Sequence, residues 1–400
     1  TKKSATSTSG NYYQEIYCDP TNEDIVYIMD TYGLISYKGG AEFERIKEKN
    51  KHVDNHALWV NPNNRMHWIM GCDGGVYETY DEGAQWNFKA NLPVVQFYKI
   101  AVDNKKPFYS VYGGTQDNYS LGGASQTRSS NGIRNSDWFV TNGGDGFQSV
   151  VDPTNPDIVY SQAQYGWLVR YNRKTGERIG IQPQNTDSLP AFRWNWDAPL
   201  IISPHNSSTL YFCANHVFKS EDKGNSWTIV SPDLSRQTDR SQLKVMDRYW
   251  ADGTIAWNKS TSDYGNITAF AESAKQQGLI YAGTDDGLLH ISHNDGKTWR
   301  KISRFSGVPE YTYIADVYCS ESNADEVFVV PNNHKQGDFK PYILRSINQG
   351  KSWTSVTGDL PARGSVYSFV ADGDTWFCGT EFGAYYSLDK GAHWKKVDEL

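Results

Sequence analysis

VDPTNPDIVYSQ, residues 151–162, restates CDPTNEDIVYIM, residues 18–29, almost letter for letter. Each runs from an apolar strand through a turn built on Pro or Asn to an aliphatic-aromatic pair. Looser copies begin at Val60, Val102, Ile202, Ala271, Cys319 and Val370, so the phrase occurs eight times. Its aromatic register marks are Tyr27, Trp68, Tyr109, Tyr160, Tyr211, Tyr281, Phe328 and Trp376. They recur at a mean spacing of about 50 residues, the period of a four-stranded propeller blade.

A second phrase, Ser/Thr-x-Asp/Asn-x-Gly-x-x-Trp, follows in phase in five repeats: Thr79 to Trp86, Ser220 to Trp227, Ser292 to Trp299, Ser346 to Trp353 and Ser387 to Trp394. This is hairpin-tip chemistry. An Asp or Asn side chain accepts backbone N–H bonds inside the turn, Gly supplies positive φ, and the Trp folds back over apolar surface. The spacing predicts that each tip closes the two outer strands of its own blade, at the periphery. These residues are expected to be structural.

The two phrases predict an all-β fold, a single β-propeller of about eight four-stranded blades. The expected blades are 11–50, 51–95, 96–145, 146–190, 191–235, 236–305, 306–360 and 361–400, after a Ser/Thr-rich linker at 1–10. Composition agrees: 14 Trp, 26 Tyr and 35 Gly among 400 residues, with only four Met, suit strands and tight turns better than long helices. A net charge of -7 lacks the basic excess that phosphate binding requires, so nucleic acid is not an expected partner. No run of about 18 apolar residues occurs, and no membrane span is expected. The five cysteines, Cys18, Cys72, Cys213, Cys319 and Cys378, are odd in number and sit in or beside apolar strands, which predicts core thiols. No Gly-x-Ser-x-Gly, phosphate-loop or zinc-site pattern is present, and no cofactor is expected.

Beyond the boxes the chain resembles the BNR/Asp-box repeat proteins, and within them the secreted, mainly bacterial relatives of the sortilin ligand-binding domain. The resemblance runs through HVDNHALWVNP (52–62), GGTQDN (113–118), GGDGF (143–147), FRWNWDAP (192–199), GLIYAGTDDG (278–287) and GTEFGAYYSLDKG (379–391). It implies Asp-box hairpins and an extracytoplasmic setting. It also implies a place within a longer polypeptide, whose other domains would be partners. Such proteins are often labelled glycosyl hydrolases on shared architecture. GCDGG with Asp73 and GGDGF with Asp145 resemble turns that supply one carboxylate each in a two-propeller xyloglucanase. Asp73 and Asp145 are therefore the candidate catalytic pair, the separation of two such carboxylates setting inversion or retention.

Turns between the second and third strands of each blade ring one face of a propeller, and here they carry Asp73, Asp117 with Asn118, and Asp285 with Asp286. Asp and Asn favour tight turns for their backbone bonding alone, so turn formation stands beside ligand binding. Blades three and four lack the second phrase, and a Gly/Ser/Asn-rich stretch, 113–147, lies between them; departures from a repeat are where function concentrates. It adds Gln116, Trp138 and Asp145. Asp73, Asp117 and Asp145 are expected to approach one another, bordered by Trp138 and Trp196, to bind a glycan or peptide. Trp196 and Trp257 suit either stacking on a ligand or core packing. His52, Asp54 and His56 alternate on an expected inner strand and offer either a metal site or hydrogen-bonded structural groups. The functional expectation is a binding or scaffold module for a glycan, peptide or protein partner. The alternatives are part of a glycoside hydrolase and a sortilin-like peptide receptor.

Overall fold

The computed structural model describes residues 12–13, 15–92, 94–185, 187, 189–244, 246–251, 253–254 and 263–398. The expected linker at 1–10 and Trp257 lie outside them. Among the described residues, four short 3-10 turns are the only helical elements. The rest builds eight four-stranded antiparallel sheets, each ordered as its strands occur in the chain. The fold class is an all-β propeller, with blades spanning 16–45, 55–88, 99–142, 146–180, 200–229, 267–302, 313–355 and 366–396.

The chain divides into two compact units: Thr1–Phe97 with Thr115–Asn118, and Tyr98–Gly114 with Tyr119–Leu400. Unit 1 holds blades one and two. Its core joins Tyr27 and Met29 of one sheet to Trp68 and Met70 of the other, with Trp86 closing the outer end. Unit 2 holds blades three to eight, and its largest core clusters each straddle two neighbouring sheets. Alternation explains this: Val159 and Tyr160 point to opposite faces, and both are fully buried because each face meets another blade. Each such side chain contributes about 1.5–3 kcal/mol.

The first phrase marks the second strand of each blade. Asp19 accepts N–H bonds from Thr21 (2.8 Å) and Asn22 (3.1 Å) in the turn, and the Tyr27 hydroxyl donates to its other oxygen (3.2 Å). Blade three corrects the register: Tyr109 is 46% exposed, and Tyr112, at 2%, donates to Asp103 instead (3.3 Å). Counting from the turn Asp, the loop is one residue longer there, so the side chain that reaches it comes later. The cysteines are all free thiols; Cys213 and Cys378 are buried, but Cys18 is exposed, because it ends the first strand of blade one on an uncovered face.

All five copies of the second phrase form the same tip. The Ser or Thr hydroxyl accepts the Gly N–H at 2.8–3.0 Å and donates to the Asp or Asn oxygen, which accepts a second N–H four residues on. Gly φ values are 75–85°, and the residue before each Gly is also left-handed, at 54–62°. Two consecutive positive φ angles are those of a type I′ turn, closed in blade two by the Ala84 N–H on the Asp81 carbonyl (3.2 Å). The Trp does not serve its own hairpin alone. Its indole N–H donates to the carbonyl of the preceding blade's outer end: Trp86 to Lys47 (2.8 Å), Trp227 to Ile181 (2.7 Å), Trp299 to Val230 (3.2 Å) and Trp394 to Val356 (3.3 Å). Trp353 is the exception, its Nε1 buried without a partner. The Gly packs on the same seam, where a Cβ at Gly296 would lie 2.4 Å from the Val230 oxygen.

Candidate functional site

In unit 1 the sequence candidates gather around two histidines. His56 Nε2 lies 2.8 Å from Asp73 Oδ1, and its ring stacks on Tyr13 at 5.2 Å and meets the edge of Tyr12 at 5.1 Å. Tyr13 donates to Asp54. His52 faces two carbonyls, Val53 O at 2.9 Å from Nδ1 and Asp117 O at 3.3 Å from Nε2, so both ring nitrogens act as donors. The Cys72 sulfur, first, and then these carbonyls push its pKa up to about 9 against the effect of burial. Asn118 Nδ2 donates to the Asp73 carbonyl (2.9 Å), while burial and then the charges of Asp73 and Asp117 raise the Tyr12 phenol, to which Gln116 bonds.

The shared face expected of His52, Asp54 and His56 is corrected. Among the described residues no three His, Cys, Asp or Glu groups are arranged to hold a metal ion. Alternation required extended backbone, and Asp54 has φ 62°, which breaks the shared face just before the strand Asn55–Val60. Both His52 nitrogens are taken by carbonyls.

Unit 2 holds the other half of the expected pocket. Asp145 is 6% exposed, and its N–H donates to Gln164 Oε1 (2.8 Å). Tyr165, beside Gln164, meets the Trp196 ring edge-on at 4.8 Å. Trp138 does not border this group. It opens the fourth, outermost strand of blade three and pairs with Gly123, whereas Asn142, next to Asp145, pairs with Ser120 at the strand's opposite end. Trp138 covers Gly123, whose missing side chain makes room for the indole. Asp286 is fully buried and holds a long insertion: it accepts from Thr284 (2.6 Å) and from the Arg236 N–H (2.7 Å).

First strands of successive blades touch one another throughout unit 2, so they form its inner wall. On that wall lies a set of charges that sequence reasoning mostly missed. Lys99 opens the first strand of blade three; its Nζ lies 3.6 Å from Asp197 Oδ2, with the two side chains 43% and 27% exposed. Gln162, from the second strand of blade four, donates to Asp197 Oδ1 (3.2 Å). Tyr313 and Asp316 come from the first strand of blade seven, and Asp316 accepts the Phe369 N–H (2.9 Å). Asp285, from a turn of blade six, accepts from Asn266 N–H (2.9 Å) and Gly265 N–H (3.1 Å). Lys335 places its ammonium 4.5 Å from the centre of the Tyr313 ring.

These groups act on one another electrically. Asp197, first, and Asp316 hold the Lys99 ammonium above its ordinary value, while desolvation lowers Lys335 against the pull of Asp285. Burial raises Asp197 and Asp316. Burial, with the Asp286 charge adding to it, pushes Asp285 up to about 7 despite its backbone bonds. Water reaches Lys99 and Asp197, yet protein surrounds them, which is the setting in which partial charges act strongly. The arrangement offers alternating donors and acceptors and one carboxyl that changes protonation near neutrality. Asp285 and the FRWNWDAP stretch holding Asp197 were visible signals; the lysines had none.

No family model matches the chain. The vacuolar protein sorting/targeting protein 10 of Mycosarcoma maydis aligns at 26% identity over 136 residues, 28% of this chain and 8% of that protein. The chain thus matches only a small part of that relative's length. Among solved structures, the GH74 xyloglucanase from Xanthomonas campestris is 16% identical, covering 97% of this chain and 67% of that one at a TM-score of 0.32. Sqt1 of Chaetomium thermophilum is 13% identical, covering 97% and 96% at a TM-score of 0.46. No helix among the described residues is long and apolar enough to cross a membrane.

Proposed function

We propose that the chain is a binding module of a longer, extracytoplasmic, sortilin-related protein, and that a glycan or a peptide segment of a protein partner occupies the inner polar group of unit 2. One observation carries this reading. Lys99, Asp197 and Asp285 come from different blades and loops, Tyr313, Asp316 and Lys335 all come from blade seven, and the six are electrically coupled. Charges that a repeat does not require, kept partly desolvated, cost stability and are retained where they meet a ligand. Screening the protein against glycan and peptide panels tests it. Asp197→Asn, which removes the partner of Lys99 while keeping the shape, should weaken the hit at least tenfold with the melting temperature kept; unchanged binding sinks the proposal.

A second reading, part of a glycoside hydrolase, draws support from Asp285. A carboxyl with a pKa of about 7 beside other carboxylates suits a general acid. Asp73 and Asp145 support it less, since Asp73 is paired with His56 and Asp145 is almost fully covered. Hydrolysis predicts that Asp285→Asn abolishes release of reducing sugar while binding persists.

A further inference from the structure

Three grooves in unit 2 meet at one hairpin tip, that of blade five, on the outer rim and away from the inner polar group. A groove of about 540 Å³ runs between the end of blade four and this tip, a second of about 380 Å³ lies along the fourth strand of blade four, and a third of about 720 Å³ separates blade five from the tip of blade six. Asp222 borders the second and third, Asn225 the first and second, and Ser226 the first and third. They form one track around the tip. We infer that this track is a binding site for a neutral polysaccharide chain.

The lining selects that class. The first groove contains no charged side chain; it presents the amides of Gln182, Gln184 and Asn225 beside the half-buried Trp227, with Phe192 and Phe218 buried behind them. Amides hydrogen-bond sugar hydroxyls in pairs, and a partly exposed indole, here Trp227, takes the C–H face of a pyranose. The two flanking grooves carry four basic and four acidic side chains between them. Lys219 lies 2.5 Å from Asp295 and 2.9 Å from Glu221, and Lys223 lies 2.8 Å from Asp152. Asp222 takes the Ser226 hydroxyl at 2.6 Å and the Ser226 N–H at 2.9 Å. A polyanion would need surplus cations and a polycation surplus anions; neither excess is present. Three contiguous grooves suit a chain of several sugar units better than a single ring. Asn225 is exposed at the junction, on the left-handed turn that the seam holds rigid.

Affinity electrophoresis through gels holding a neutral β-glucan, a galactomannan or, as an acidic control, polygalacturonate tests the assignment on the whole chain. A neutral polymer should retard the protein. Asn225→Arg, which fills the junction, should weaken that retardation at least tenfold with an unchanged melting temperature. Gln184→Ala, exposed and outside the turn, should weaken it about fivefold, the scale of a lost hydrogen bond, and serves if the first variant unfolds. Asp197→Asn should leave it intact, which separates this site from the inner one. Retardation by polygalacturonate alone, by no polymer, or equally in wild type and both variants overturns the inference.

Discussion

The hairpin tips on the rim and the inner wall of unit 2 use the same residue, aspartate, in opposite ways. At the tip of blade five Asp222 accepts the Ser226 hydroxyl and backbone N–H and the Ser220 hydroxyl, and at the tip of blade eight Asp389 accepts the His393 backbone N–H, its imidazole and the Ser387 hydroxyl, which pull both pKa values down to about 2. On the inner wall, burial dominates and moves Asp285 the other way, to about 7. A carboxylate whose oxygens are saturated by its own turn has little left to offer a ligand. One that is desolvated with few donors is held in a costly state, and that cost points to use.

The largest effect that bears on this contrast is on the rim. Trp394→Ala or Trp86→Ala, each side chain 7% exposed, should cost about 3–5 kcal/mol in denaturant unfolding without changing ligand binding. A loss under about 1 kcal/mol would remove the tip from its structural role. Next, Ser220→Ala strips the hydroxyl that serves both Gly224 and Asp222, and should cost about 1–3 kcal/mol because it strands a buried N–H. Smaller again is the pair Trp227→Phe and Trp353→Phe. The first loses its bond to Ile181 and should destabilise by about 1 kcal/mol; the second removes an N–H that has no partner and should be neutral or stabilising. Equal losses would show that the bond to the preceding blade is not what the indole contributes.

The last effect is a slope. Asp285 is raised from 3.8 to about 7, so the folded state holds its proton longer than the unfolded chain. Its contribution to stability is intact below about pH 4 and is lost as pH rises to 7, and Asp285→Asn should flatten that stretch of the stability profile. Asp222 and Asp389 carry the opposite sign: their contribution is present above pH 3.8 and disappears as pH falls toward about 2. Urea midpoints measured across pH 2–8 check both windows. A profile that Asp285→Asn does not alter would place this carboxyl with the tips.

What could be read in advance follows the range of the interactions. Eight sheets were legible because Asp19 with Tyr27, and Thr79 with Gly83, are contacts within a single turn or hairpin, repeated. The Tyr109 assignment took the wrong tyrosine, three residues before the one that bonds Asp103. His52, Asp54 and His56 misled because alternation presumes extended backbone, and a single left-handed residue cancels it. Trp138 misled because loop position does not tell which end of which strand a side chain occupies. Lys99 and Lys335 carried no signal: a lysine at a strand start or in a turn looks solvated until six blades are arranged around it.

The indole bonds all run one way along the chain, from a later blade to the one before it. A growing polypeptide would meet them in that order: when the tip at Trp227 leaves the ribosome, the carbonyl of Ile181 is already waiting, whereas no tip depends on sequence still to be made. The fold is therefore suited to vectorial assembly, each new blade fastening onto a finished edge.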